Sequence, residues 1–315
     1  MELRHLRYFV VVAEERHFTR AAERLGIGQP PLSLQIQRLE REIGAQLFRR
    51  LSRGVELTEA GELLFDSARQ ILAQVERTCA DVQRLARGEM GHLRVGFAGA
   101  TYFQSLVPAI IREYRSHHPD VTVSPEQSNT PSLADGLLEG RVDVAFIRPP
   151  IVSSDELELE LLVREDTVVV LPHTHPLARA GEPVPLSALA TETFILFPRG
   201  IGAGLYDAVT GACERAGFIP RLGQEAPQIT SIVPMVGAGF GVSIVPRSTS
   251  QIRTDEVVYL PIAGDAPKAP ISLAWRRNDR SPVVRRFLTI ARGMAKDWPR
   301  QSGDAAESAA MTSRR

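Results

Sequence analysis

From Leu3 to Glu14 the apolar residues Leu3, Leu6, Phe9, Val10 and Ala13 recur at helical spacing, which predicts a first helix with one buried face. Phe18-Thr19 opens a second, with Thr19 as its expected N-cap and Ala21, Ala22 and Leu25 turned inward. Gly26 and Gly28 break the pattern and leave a tight turn. A third helix starts near Gln29-Pro30-Pro31, where proline is tolerated because first-turn amides have no helical partner. Its core face is expected to carry Leu32, Ile36, Leu39 and Ile43. The opposite face carries Leu34, Gln37, Arg38 and Arg41, with Ser33 at its margin. Gly44 ends the helix, Leu47-Phe48 return to the core, and Arg49 to Gly54 make a basic turn between two short strands. Helix, turn, helix and basic hairpin together predict a winged helix-turn-helix, all-α with a small β wing, over 1–58.

A long helix follows over 59–88, with Thr58 as its cap and Glu59 and Glu62 in the first turn, where negative charge suits the helix dipole. Ala68, Leu72, Val75, Cys79, Val82 and Ala86 step by alternate fours and threes, a heptad seam that predicts a two-helix dimerisation arm. From His92 the pattern changes to strands alternating with helices, the sign of βαβ units. LRVGF, VTVSPEQ, VDVAFI, TVVVLP, TFILFP, GVSIVP and ISLAWR read as strands, with helices near Leu106, Pro131, Gly204, Ile229 and Pro282. Two such halves, crossed near Val163–Asp166 and Ile262–Lys268, predict a bilobed α/β domain over 92–298. Its first lobe takes 92–163 and 268–298, its second 164–267, and the polar stretch 299–315 is expected to be disordered.

Composition adds little until it is localised. The 315 residues carry zero formal net charge, yet Phe18 to Arg53 holds seven arginines against three glutamates, the footprint expected for phosphate contact. The long donors on the third helix suit base edges and phosphates, and the exposed Leu34 suits a thymine methyl. Arg49, Arg50 and Arg53 suit the DNA backbone or minor groove. Cys79 and Cys213, far apart and outside any metal spacing, fit a reducing cytoplasm. No apolar run predicts a signal peptide or a membrane span.

In the second half, helix starts after Ala100-Thr101, at Thr130 and at Gln228–Thr230 are expected to aim amides and hydroxyls into the cleft between the lobes, where anions bind. Arg148 would add a bidentate carboxylate contact, and Phe197 and Leu205 apolar walls. Enzyme readings are weaker. His117-His118 and His173-Thr174-His175 lack partners at metal spacing, and Gly200, Gly202 and Gly204 lack both a P-loop lysine and a dinucleotide fingerprint. No metal or other cofactor is expected. A secreted solute-binding protein is disfavoured by the fused helix-turn-helix, and an effector-domain disulfide switch by the presence of Cys213 alone in that part of the chain.

MELRHLRYFV, FTRAAERLGIGQPPLSLQIQRLEREIGAQLF and LTEAG resemble the amino-terminal domain of the LysR-type transcriptional regulators, and the second half is similar to the effector domain of that family, which resembles periplasmic binding proteins. The resemblance implies DNA contacts from Gln29, Pro30, Ser33, Gln37, Arg38 and the wing arginines, with Leu34 standing where many relatives carry a polar or basic residue. It further implies a homodimer assembling to a homotetramer, inverted-repeat double-stranded DNA as target, RNA polymerase as partner, and a small organic acid as effector. Within the family the look is that of regulators of aromatic catabolism. Thr130 matches a threonine of the muconate-sensing members, and Ala100 departs from their serine.

Overall fold

The computed structural model describes residues 1–151 and 155–298, and its last helix is assigned Pro282–Thr312; the tail expected over 299–315 lies outside the described residues. The chain divides into two compact units, Met1–Leu85 and Ala86–Arg315.

In the first unit α1 (Leu3–Glu15), α2 (Phe18–Leu25) and α3 (Gln29–Ile43) pack around Leu6, Phe9, Ala21, Leu32, Ile36 and Leu39. The hairpin β1 (Phe48–Arg50) and β2 (Val55–Leu57) is tied to them through the Phe48 ring, 5.2 Å from Phe9 and 5.9 Å from Phe18. Burying a phenylalanine of this kind contributes roughly 1.5–3 kcal/mol. The amide of Val55 also donates to the Arg16 carbonyl at 3.0 Å, which pins the wing to the turn after α1. The N-cap of α2 is His17, whose Nδ1 accepts from the Thr19 amide at 3.2 Å; Thr19 itself is already inside the helix. Gly26 then closes α2 in the left-handed region, φ 67°, as a side chain there would resist. Ile43, expected in the core, is 40% exposed because α3 ends beside it at Gly44.

The helix α4 (Glu59–Ala86) begins where Thr58 Oγ1 accepts from the Gly61 amide at 3.0 Å. Ala68 and Leu72, the first two seam positions, pack into the core of the first unit. Further along, Cys79, Val82 and Ala86 are exposed, and so are Ile71 and Leu85. Of the expected seam, Val75, Cys79, Val82 and Ala86 thus stay outside that core, with Ile71 and Leu85 as further exposed apolar positions on the same helix.

The second unit is built on one sheet. β3 (Gly91–Ala98), α5 (Leu106–His117), β4 (Val121–Ser128), α6 (Thr130–Leu138) and β5 (Val144–Ile147) alternate, and β3 runs parallel to both β4 and β5. β6 (Leu157–Pro172) is one 16-residue strand that includes TVVVLP and runs unbroken through the crossing expected near Val163–Asp166. After it come α7 (Pro176–Ala180), β7 (Val184–Pro185), β8 (Thr193–Phe194), α8 (Ala203–Arg215), β9 (Arg221–Leu222), α9 (Ile229–Gly237), β10 (Ser243–Pro246), β11 (Val257–Ala263), β12 (Lys268–Arg276) and α10 (Pro282–Thr312). The first part of β6 pairs with β12, and its end pairs with β10 and β11. One strand thus belongs to both lobes, with a bulge at Leu162, which is skipped between the pairs Val163–Ile271 and Leu161–Ser272.

In the first lobe α5 and α10 cover one face of the sheet, through Tyr114 and Phe287 against Phe146 and Leu273, and α6 covers the other through Leu133 and Leu137. Arg94 and Asp143 lock β3 to the start of β5 by a bidentate pair at 3.0 and 2.8 Å. Burial pushes the Asp143 carboxyl up, but the hydrogen bonds from Arg94 outweigh it and hold the group below its ordinary value. The second lobe centres on Val168–Leu171 with Ile232, Val236, Val209 and Cys213.

Candidate DNA-binding and ligand-binding sites

On α3 the side chains of Gln29, Pro30, Leu34, Gln37, Arg38 and Arg41 are exposed and Ser33 is half-buried, so they share the face turned from the core. Leu34 is 45% exposed among these donors. The seven arginines of the segment are not equivalent. Arg24 pairs with Glu14 and Glu15 at 2.8 and 3.2 Å, Arg20 bonds the Glu15 carbonyl, and Arg49 pairs across the wing with Glu56. Arg41 donates back to the Gln37 carbonyl at 3.3 Å. Arg38, Arg50 and Arg53 are exposed and hold no hydrogen bond or ion pair to another described residue, so their charge is directed at solvent or a partner. Exposed guanidinium groups on a helix face and on an adjacent hairpin are a phosphate-binding arrangement.

Within the second unit a cavity of about 350 Å³ lies between the lobes. Its first-lobe wall is Ala98 to Ala100, Gln127 to Thr130 and Arg148; its second-lobe wall is Phe197, Ile201, Gly202, Leu205 and Pro227 to Ile229. Ala100, Thr130, Arg148, Phe197 and Leu205 are thereby brought together. Thr101 is not: it is fully buried and its hydroxyl donates to the Phe146 carbonyl at 3.4 Å. Thr230 also lies off the wall, because the turn that starts α9 presents Gln228 and Ile229 instead. The helix starts on the cavity wall are those of α6, α8 and α9, and in α6 only the Thr130 amide is free, since Pro131 has none and Asn129 caps that of Ser132; after Ala100 there is only a 3₁₀ turn, Thr101–Phe103. The N-cap of α6 is Asn129, which accepts from the Ser132 amide at 2.9 Å, while Thr130 sits one residue further and its hydroxyl donates to the Arg148 carbonyl and accepts from the Arg148 amide, each at 3.4 Å.

Arg148 corrects a second expectation. The residue is 7% exposed, Nη1 donates to the Ala269 carbonyl at 2.7 Å and Nη2 to Glu165 Oε2 at 3.0 Å, so the bidentate edge expected for a ligand is already engaged. Glu165 in turn accepts from the Ser248 amide. Burial pulls the guanidinium below its ordinary value, and Glu165 opposes that. The Arg148 Nε–H is buried and has no partner. Sequence reasoning missed Ser128, Asn129 and Ile201; the last two residues before each helix start were the available signal, since those positions face whatever the helix points at.

Among the described residues no group of three or more His, Cys, Asp or Glu is clustered to hold a metal, and no helix is long and apolar enough to cross a membrane. Burial pushes the Cys213 thiol up to about 11, which leaves it protonated and inert.

A donor-bearing helix with a basic wing, in one chain with a two-lobed cleft domain, defines a ligand-responsive DNA-binding protein. Residues 3–62 match the bacterial regulatory helix-turn-helix protein model of the lysR family, and residues 86–296 match the LysR substrate binding domain. The chain belongs to the LysR family and is a DNA-binding transcriptional regulator with an effector-binding domain, not an enzyme. It is 43% identical over 290 residues to the HTH-type transcriptional regulator BudR of Raoultella terrigena, covering 92% of this chain and 100% of that protein. Its identity to the HTH-type transcriptional regulator BenM of Acinetobacter baylyi is 36% over 286 residues, 90% and 93% of the two chains. Among solved structures, full-length CbnR complexed with its target DNA superposes with a TM-score of 0.82 at 32% identity, covering 94% of this chain and all of that one.

Proposed function

We propose that this regulator reads an inverted-repeat operator in the cytoplasm and changes its hold on that DNA, and on RNA polymerase, when a small organic acid of the aromatic or dicarboxylic kind enters the cleft. The carrying observation is the coexistence, in one chain, of free donors on α3 and the wing with a cavity ringed by helix starts. In this reading Gln29, Pro30, Ser33, Leu34, Gln37, Arg38 and Arg41 face the major groove, and Arg49, Arg50 and Arg53 the backbone. The exposed apolar positions of α4 pair two chains, and two such dimers form a tetramer. Paired readers would place half-sites about 34 Å apart or at a multiple of that spacing.

The two functions should separate by mutation. Arg38→Ala removes a base or phosphate contact of roughly 1–3 kcal/mol per half-site, so operator affinity at fixed salt should fall by tenfold or more while acid binding is unchanged. Thr130→Val should do the reverse in the same gel-shift and calorimetric assays. Operator affinity unaffected by Arg38→Ala would remove α3 from the DNA interface.

Leu34 offers a finer test. If its side chain meets a thymine methyl, the wild type should lose affinity, by roughly 1 kcal/mol, when one operator thymine becomes uracil. Leu34→Ala should be indifferent to that exchange. Equal sensitivity of both proteins would place the leucine elsewhere.

A further inference from the structure

We infer that the cleft is built for a monocarboxylate: one anionic end and an uncharged remainder. This rests on the proposed role of the cleft as an acid site and names the ligand class within it. The argument is a charge inventory. Of the described residues that form the cavity wall, Arg148 is the only ionisable one. It is opposed by Glu165, buried to 7% exposure, at 3.0 Å. One cation and one anion are therefore balanced before any ligand arrives.

A single carboxylate is still accommodated. The Arg148 Nε–H is buried without an acceptor, and a donor in that state loses free energy that an incoming oxygen restores. The Thr130 hydroxyl is already committed to the Arg148 backbone, but the Thr130 backbone amide at the start of α6 and, across the cleft, the amides that open α9 supply further neutral donors. The rest of the lining is uncharged: the neutral polar Gln127, Ser128, Asn129 and Gln228 beside the apolar Ala100, Phe197, Ile201 and Leu205. A second carboxylate on the same ligand would lie against uncharged side chains with no cation to meet it. Burying an unpaired charge there is strongly unfavourable, whereas a ring or alkyl chain gains from the same contact.

The test is calorimetric titration of the full chain at neutral pH and fixed ionic strength with two matched pairs, benzoate against terephthalate and hexanoate against adipate. The monoacid of each pair should bind at least about tenfold tighter than its diacid. A diacid that binds as tightly as its monoacid overturns the charge count. Benzamide binding as tightly as benzoate, or no saturable binding of any of the four acids by a protein that still binds operator, overturns the acid reading of the cleft itself. Glu165→Gln gives an independent arm. It removes the anion that opposes Arg148 and keeps an oxygen to accept from the Ser248 amide, so benzoate should tighten and terephthalate should gain more. An unchanged ratio between the two acids would show that Glu165 does not enter the charge balance, and would overturn the inference.

Discussion

Glu165→Ala should lower the unfolding free energy of the unit Ala86–Arg315 by about 3–5 kcal/mol, the largest stability loss expected in this chain. The reason is what the substitution leaves behind. Arg148 would keep its position at the end of β5, 7% exposed, with its charge facing an empty space. The Ser248 amide would lose its acceptor as well. Removing both charges is a different experiment. Arg148→Met with Glu165→Leu takes away the desolvation cost together with the attraction, and should lie within about 1–2 kcal/mol of the wild type or above it. Urea titration followed by tryptophan fluorescence isolates the effect, because both tryptophans, Trp275 and Trp298, belong to this unit. A loss under about 1 kcal/mol for the single substitution would mean that the pair is solvated and not buried.

That pair also marks where sequence reading stops. The helical units were legible because their signal is local: the spacing of Leu6, Phe9, Leu32, Ile36 and Leu39 is the spacing of the core. The Thr58 cap was legible for the same reason, since its partner is three residues away. Caps were misplaced where a neighbour competed, as His17 does with Thr19 and Asn129 with Thr130. In the cleft, the small and apolar wall positions Ala100, Phe197 and Leu205 follow from strand ends and helix starts. The use of Arg148 does not follow, because its partners, Glu165 and Ala269, lie on two other strands, the second of them 121 residues away. Nor does the continuity of β6, which depends on its partners changing from β12 to β11 along its length.

Gly204→Ala should cost ligand affinity about ten- to a hundredfold, some 1.4–2.8 kcal/mol, while leaving operator binding by the ligand-free protein intact. The glycine lies in the first turn of α8, where an alanine is by itself favoured by roughly 1 kcal/mol. Across the cleft, however, an added Cβ would fall 1.9 Å from the Pro149 carbonyl oxygen and 2.8 Å from Pro150 Cδ. Ordinary contact begins near 3.4 Å, so backbone must move, and the two backbones belong to opposite lobes. The cheapest relief is to part the lobes by an ångström or more. A ligand that touches Thr130 on one wall and Leu205 on the other then loses one of them. The glycine here is required by approach and not by φ, which distinguishes it from Gly26. Because the helix gains while the contact is lost, the unfolding midpoint should change little, and affinity and stability should separate in the same preparation. Unchanged affinity would show that the lobes already stand further apart in the liganded protein, and that this contact belongs to the ligand-free state alone.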